Sequence, residues 1–407
     1  MNERLKSDIK SIKIIDHHTH CLDAFYWEDA TGRPSPFPQM YDFPQPDMSL
    51  AKKNKLLTML SEFYNRPFPE TEKDISDLRN AYEMSLSDEA SIYNRMIDLA
   101  GIDVVATLGQ SRPILAAGLN PGRFKVFSLS DGLLIPLDNS ELKRPGPKCE
   151  SFVNMAECAA EILKKELKWN PTDFDDYVKF VSASVRWYKE NGAIALKSSC
   201  AYWRGLNFDI VGEDEARVIY STKDTSPANY KRLQDYIMIS ILRECGKLGI
   251  PFHIHTGPGG QEGFGELAGP SQLEKLIYHA NTGCTLIMLH GGYPFCSEAG
   301  AMVAGIGKAP QPLYLDTSMM WMSSPIPGAS FNKRALQEWL EWGIAAKLVY
   351  GSDGVSPFST WLSALTFRED LAEALSDMVE RSLLSEEQAL NAAYDILRGN
   401  SEKIYKL

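Results

Sequence analysis

Eight short apolar runs recur along this chain, and most of them are separated by stretches whose apolar residues have helical spacing. Continuous Val/Ile/Leu runs are typical of strands buried on both faces of a parallel sheet. Strands that alternate with helices predict an α/β fold, and eight of them favour a closed (β/α)8 TIM barrel over an open Rossmann sheet. The predicted strands lie in Ile12–His20, Ile102–Leu108, Phe124–Leu129, Ala193–Lys197, Pro251–Thr256, Thr285–His290, Leu313–Thr317 and Leu348–Ser352. The clearest helical patterns lie at Phe174–Asn191, Asn229–Leu248, Gln272–His279 and Lys333–Trp342.

One long segment interrupts this alternation. Residues 21–100 separate the first two predicted strands; the segment begins with a part rich in aromatic residues and proline and continues, from Leu50, with helical patterns. Long excursions within compact domains are usually functional, so we expect a lid-like, mainly helical insertion. The residues beyond Phe358 predict a C-terminal helical tail. We therefore predict a single barrel domain that covers residues 1–407.

Composition and charge exclude several classes of protein. The chain has 407 residues, of which 44% are hydrophobic and 23% charged, which is ordinary for a globular protein with a large core. A net charge of -11 gives no electrostatic reason to bind nucleic acid or an anionic membrane. The 7 cysteines are scattered without a C-x-x-C pair, which fits a reducing compartment. With no signal-peptide pattern and no apolar run of about 18 residues, we expect a cytoplasmic protein that acts on a small molecule. Formation of a homo-oligomer is left open.

The first predicted strand ends in two histidines with the spacing H-x-H. Since side chains alternate between the faces of a strand, His18 and His20 project to the same side and His17 to the other. Two imidazoles about 7 Å apart along a strand can bind one metal ion, and imidazole suits zinc and its neighbours. Alone, the pair is equally consistent with a polar strand end.

The other histidines strengthen the prediction of a metal site, because most of them also lie at predicted strand ends. Only His279, on a predicted helix, lacks such a position, and Asp353 follows the eighth run. In a barrel, the carboxyl ends of all strands converge on one rim, where catalytic groups collect. The strand-end histidines are His17, His18, His20, His253, His255 and His290.

With these residues the sequence resembles the amidohydrolase superfamily. The matching motifs are D-x-H-x-H at 16–20, HIHTG with His255, LHGGYPF with His290 and YGSD with Asp353. The motifs are most similar to the branch that includes nodulin-like modules, with uronate isomerases and decarboxylases as more distant relatives. Residues 21–100 match poorly, which leaves the substrate open.

The resemblance implies a role for each matching residue. His18, His20, His255 and Asp353 correspond to the family's ligands of a divalent metal ion, for which zinc is the expected identity. The ion would lower the pKa of a water to roughly 7, and Asp353 would act as its general base. His290 would polarise the substrate carbonyl or stabilise the developing oxyanion.

Lys197, in the fourth predicted strand, decides between one and two metal ions. In binuclear members of the superfamily a lysine at this position is carboxylated and bridges two ions, and His290 would then bind the second ion. A lysine beside cations can react with CO2 because its pKa is depressed. A simple ammonium that binds an anionic substrate is an equally good interpretation. The number of ions therefore stays open.

Substrate contacts are predicted at Tyr202, Arg204 and Trp27. Residues 201–205 resemble the A-Y-R-x-G stretch of the same branch, in which Arg204 would clamp a substrate carboxylate and Tyr202 would donate a hydrogen bond. Trp27 would form an apolar wall of the pocket. Ordinary surface or loop packing explains each of these residues equally well.

These observations predict a metal-dependent hydrolase that acts on an amide, cyclic amide, lactone or similar bond of a small carboxylate-bearing substrate. The same ligands also support a non-oxidative decarboxylase or a sugar-acid isomerase. A non-catalytic sensing or scaffolding module is disfavoured, because it has no need of a complete set of ligands.

Overall fold

A computed structural model describes residues 3–20, 50–85, 89–109, 113, 118–257, 268–305, 309–318 and 330–407. Its eight parallel strands form one sheet in the order β1 to β8, with helices between them. The predicted α/β TIM-barrel fold is thus confirmed, and every strand begins within its predicted run. The strands are β1 Ile14–Thr19, β2 Ile102–Leu108, β3 Phe124–Leu129, β4 Ala193–Ser198, β5 Phe252–Ile254, β6 Leu286–Met288, β7 Leu313–Asp316 and β8 Leu348–Val349.

The helices occupy the predicted positions between the strands, and further helices follow β8 as the predicted C-terminal tail. Single 3-10 turns follow the ends of several strands, for example Leu289–Gly292 after β6. No helix in the described ranges is both long and apolar enough to cross a membrane. The α-helices are α1 Glu3–Ser11, α2 Leu50–Phe63, α3 Glu72–Ser85, α4 Glu89–Leu99, α5 Ser140–Lys143, α6 Pro147–Leu167, α7 Phe174–Glu190, α8 Glu213–Thr222, α9 Pro227–Leu248, α10 Glu274–Tyr278, α11 Cys296–Ala304, α12 Ser330–Glu341, α13 Pro357–Glu380, α14 Glu386–Tyr394 and α15 Asn400–Tyr405.

The chain divides into two compact units. The first unit comprises Met1–Leu108, Leu115–Lys125 and Thr317–Lys403, and the second comprises Gly109–Ile114, Val126–Asp316 and Ile404–Leu407. The first unit therefore carries β1, β2, β8 and the first two residues of β3, and the second carries the rest of β3 and β4 to β7. A single domain over the whole chain stays a prediction.

In the first unit, β1 is the central element. It pairs in parallel with β2, and its His17 backbone N–H donates to the carbonyl of Tyr350, just after β8. Arg368 of α13 is buried and donates to the carbonyls of Ile12 and Ala100, which anchors the chain ahead of β1 and β2. The described part of the predicted insertion, α2 to α4, is helical as expected, whereas residues 21–49 lie outside the described ranges.

In the second unit, β4 to β7 are parallel and in register. Leu196, Phe252, Leu286 and Leu313 face one another in a continuous row across the four strands. All four side chains are buried, as the continuous apolar runs predicted. This register sets the position, along the strand direction, of the residues that follow each strand, including His255 after β5.

Candidate metal centre

In the first unit, His18, His20 and Asp353 converge on one point. The Nε2 atoms of His18 and His20 lie 3.6 Å and 3.1 Å from the same carboxylate oxygen, Oδ1 of Asp353. The two imidazole rings are 5.4 Å apart, on the same side of the strand end. The His18 side chain is fully buried, whereas those of His20 and Asp353 are 19% and 15% exposed, so the cluster is open to solvent on one side.

Backbone hydrogen bonds hold Asp353 in an unusual conformation. Its φ angle of 50° lies in the left-handed region, which non-glycine residues rarely adopt and which the surrounding structure must enforce. The Asp353 N–H donates to the carbonyl of His18 at 2.8 Å. The buried Asp16 carboxylate accepts the N–H groups of His18 and Ser352, which ties the end of β1 to the residue before Asp353. The carboxylate of Asp353 is therefore aimed at the histidines by the fold.

The two distances from the histidines to Asp353 suit a divalent metal ion. In a tetrahedral zinc site with bonds of about 2.0–2.1 Å, neighbouring donor atoms are about 3.3 Å apart. The separations of 3.1 Å and 3.6 Å in the first unit bracket this value. Two imidazole nitrogens and a carboxylate oxygen are also the ligand types that zinc and its neighbours prefer.

In the second unit, His255 and His290 form a hydrogen-bonded pair. Nε2 of His290 lies 2.8 Å from Nδ1 of His255, and both side chains are buried. His290 has a φ angle of 68°, and its backbone N–H donates to the Asp316 carboxylate at the end of β7. His290 thus resembles Asp353 in its left-handed backbone, although a carboxylate accepts its N–H group and a carbonyl accepts that of Asp353.

An aromatic wall lies next to this pair. The Tyr202 ring is 4.5 Å from the His255 ring and stacks in parallel on Phe152 of α6 at 3.8 Å. The Lys148 ammonium lies over the Tyr202 ring, 5.1 Å from its centroid. The sequence analysis missed Phe152 and Lys148, because both lie on a helix far from any predicted strand end.

Lys197 is buried on β4, and a buried acid stands beside it. Asp131 accepts hydrogen bonds from the Ser198 hydroxyl at 2.6 Å and the Ser199 N–H at 2.8 Å. Burial raises the pKa of Asp131 to about 6, against the opposing effects of these hydrogen bonds and of the Lys197 charge. The signal that could have found Asp131 was an acidic residue two positions after the third apolar run.

The side chains of His253 and Arg204 are hydrogen-bonded to other side chains of the protein. Nε2 of His253 is hydrogen-bonded to the Tyr405 hydroxyl at 2.7 Å. The buried Arg204 guanidinium pairs with Asp235 at 2.5 Å and also donates to Gln234. Substrate binding by Arg204 stays a prediction, and it would require the guanidinium to exchange Asp235 for a substrate carboxylate. Trp27, the predicted apolar wall, lies outside the described residues.

Parts of the chain are similar to known protein sequences. Residues 219–407 match the amidohydrolase family. A segment of 158 residues is 30% identical to the protein fluG of Emericella nidulans; it covers 39% of this chain but only 17% of fluG. The chain thus spans a small part of the length of that relative.

Several solved structures share the fold over 99% of this chain. A candidate metal-dependent hydrolase from Lactobacillus casei has a TM-score of 0.66 at 19% identity, with 97% of its own chain covered. Uronate isomerase from Thermotoga maritima has a TM-score of 0.65 at 12% identity and 96% coverage. Glucuronate isomerase from Caulobacter crescentus has a TM-score of 0.63 at 14% identity and 93% coverage. The resemblance to amidohydrolases that the sequence motifs indicated is confirmed over residues 219–407, and the solved structures share the fold.

Proposed function

We propose that this protein is a metal-dependent hydrolase that cleaves an amide, cyclic amide, lactone or similar bond of a small carboxylate-bearing substrate. The observation that carries the proposal is the convergence of His18, His20 and Asp353 at distances that suit a divalent ion. Zinc is the proposed metal, because imidazole and carboxylate ligands suit it. The ligand set of the proposal is His18, His20, His255 and Asp353.

Asp353 would be the general base of the reaction. When bound, a divalent ion acts as a Lewis acid and brings the pKa of a water to about 7. The Asp353 carboxylate is partly exposed and its backbone is fixed, so it can accept a proton from the attacking water and return it to the leaving group.

His290 would hold His255 in the tautomer that binds metal. If the Nδ1–H group of His255 donates to Nε2 of His290, the lone pair on Nε2 of His255 is left for an ion. This pairing supports a site with one ion, because a second ion bound through Nε2 of His290 would break it. The predicted polarisation of the substrate carbonyl by His290 stays a prediction.

Lys197 leaves a two-ion site as the alternative. Its side chain is buried on β4, in the position that a bridging carbamate would require by analogy with the binuclear relatives. The one-ion proposal instead keeps Lys197 as an ammonium.

A sugar-acid isomerase is the second candidate function. The fold likeness to uronate and glucuronate isomerases, which extends over 99% of this chain, favours it over decarboxylation. An isomerase leaves the mass of its substrate unchanged, whereas a hydrolase adds one water and a decarboxylase removes CO2.

Metal content and intact mass of the purified protein test the proposal. One ion per chain and an unmodified Lys197 are the expected result; two ions and a labile extra mass of one CO2 would select the two-ion alternative. His18→Ala and Asp353→Ala should lose the ion, with His279→Ala as the control because His279 is remote from the predicted strand ends. Full metal content in His18→Ala and Asp353→Ala would refute the site.

The mass of the product formed from a panel of small amides, lactones and sugar acids then separates hydrolysis from isomerisation.

A further inference from the structure

Lys148 occupies a position next to the aromatic wall formed by Phe152 and Tyr202. Its ammonium lies 5.1 Å from the centroid of the Tyr202 ring, and the same ring is 4.5 Å from the ring of His255. One aromatic ring therefore separates a positive charge from a proposed metal ligand, and all four residues belong to the second unit.

No carboxylate in the described part of the chain balances the charge of Lys148. Among the described residues, the Lys148 ammonium makes no ion pair or hydrogen bond, and it lies over the Tyr202 ring. By contrast, Lys143 of α5 and Lys164 at the other end of α6 each pair with a glutamate at 2.7 Å. Lys148 is half-buried, and desolvation lowers its pKa. A partly desolvated cation with only an aromatic partner is a suitable place for an anion.

Helix stability does not explain a lysine at this position. Lys148 lies in the first turn of α6, where the positive end of the helix dipole disfavours a cation. Phe152 follows four residues later on the same face and stacks at an interplanar angle of 6° on Tyr202. The stack fixes the ring over which the ammonium lies, so the position of the charge is built into the packing of α6.

We infer that Lys148 binds the carboxylate group of the substrate and that the Tyr202 ring packs against the neighbouring carbon atoms. This inference rests on the proposed function, because it requires a substrate that carries a carboxylate. It moves carboxylate recognition from Arg204, whose guanidinium is already paired with Asp235, to a cation that lacks such a partner. An ammonium suits the task because it is a compact point charge with three donors.

Calorimetric titration of the full-length protein with matched pairs of probes tests the inference. The carboxylates are D-glucuronate, malonate and benzoate, and their uncharged counterparts are D-glucose, malonamide and benzamide. Wild-type protein should bind at least one carboxylate more tightly than its counterpart. Lys148→Met should lower the affinity for that carboxylate by about 10- to 100-fold, as expected for loss of a charge-assisted hydrogen bond. The affinity for the uncharged probe should not change. Lys148→Arg should restore most of the affinity.

Lys164→Met is the matched control, because Lys164 lies on the same helix and pairs with Glu161. It should bind all six probes as the wild type does. The inference is overturned if no carboxylate is preferred by the wild type, or if Lys148→Met retains the preference. Titrations are repeated after removal of metal with a chelator, and the metal content of Lys148→Met is measured in parallel. A carboxylate preference that depends on Lys148 in metal-free protein supports the inference even if His18→Ala shows that the proposed metal site is wrong.

Discussion

Nε2 of His290 lies 2.8 Å from Nδ1 of His255, and one proton must lie between these two atoms. If His255 offers the lone pair of its Nε2 to a metal ion, then its Nδ1 carries the proton and His290 accepts it. The tautomer of one histidine thus depends on the other. A metal ligand oriented by a buried hydrogen-bond partner usually loses affinity when the partner is removed.

Replacing His290 by alanine should therefore weaken metal binding by about 10- to 100-fold without abolishing it. Competition with a chromophoric chelator measures the affinity, and His279→Ala is the control. Unchanged affinity would show that the pair does not orient a ligand. A fall in stoichiometry from two ions to one would instead identify His290 as a ligand of a second ion.

Asp353→Asn should remove metal binding while leaving the fold intact. Asparagine tolerates the left-handed region that Asp353 adopts at a φ of 50°, so the backbone conformation can persist. Its amide lacks the negative charge that a ligand opposite two imidazoles supplies. We expect strongly reduced metal content with little change in the melting temperature of metal-free protein. Asp353→Val, which brings a β-branched residue into the same conformation, should be less stable by about 1–3 kcal/mol. Equal stabilities of the two variants would contradict the strain argument.

Asp131 should make stability depend on pH in the direction opposite to that of most carboxylates. Burial raises its pKa from 3.8 to about 6, so the folded state binds the proton more tightly than the unfolded state. Its contribution is fully present below about pH 4 and is lost as the pH rises through about 6. Relative to Asp131→Asn, metal-free wild type should gain about 2–3 kcal/mol in free energy of unfolding between pH 7 and pH 4.

Asp138→Asn provides the control for this prediction. Hydrogen bonds from Ser140 lower the pKa of Asp138, so its contribution is present above the unfolded pKa and is lost as the pH falls through the folded one. Urea unfolding of the three proteins between pH 7 and pH 4 should show the gain of the wild type relative to Asp131→Asn but little change relative to Asp138→Asn, because the contribution of Asp138 is lost only below about pH 4. An equal gain relative to both variants would refute the effect of burial on Asp131.

Tyr405→Phe should destabilise the second unit. The Tyr405 hydroxyl is the partner of Nε2 of His253 at 2.7 Å in a buried position, and its loss leaves a polar atom without that bond. The expected cost is about 1–3 kcal/mol in free energy of unfolding. Tyr394→Phe is the control, because the Tyr394 hydroxyl bonds to Glu402 at the surface. Similar losses for both variants would show that the buried bond contributes nothing special.

The sequence alone was sufficient for the strands, the fold class and the positions of the strand-end histidines. Apolar runs and helical spacing are local patterns, so β1 to β8 begin within the predicted runs. The side on which His18 and His20 project also follows from the alternation of side chains in one strand. Features that depend only on neighbouring residues in the sequence, such as strand positions and the orientation of strand-end side chains, could therefore be predicted without the tertiary structure.

Contacts between segments far apart in the sequence were decided by the tertiary structure alone. Arg204 had the motif of a substrate clamp, but the packing of α9 brings Asp235 to its guanidinium. Lys148 had no motif, and only the stacking of Phe152 on Tyr202 places its charge one ring away from His255. Side-chain pairing depends on how helices pack against strands. This packing produces no periodic pattern in the sequence from which it could be predicted. The sequence determined which residues stand at the strand ends, and the fold decided which of them are already paired.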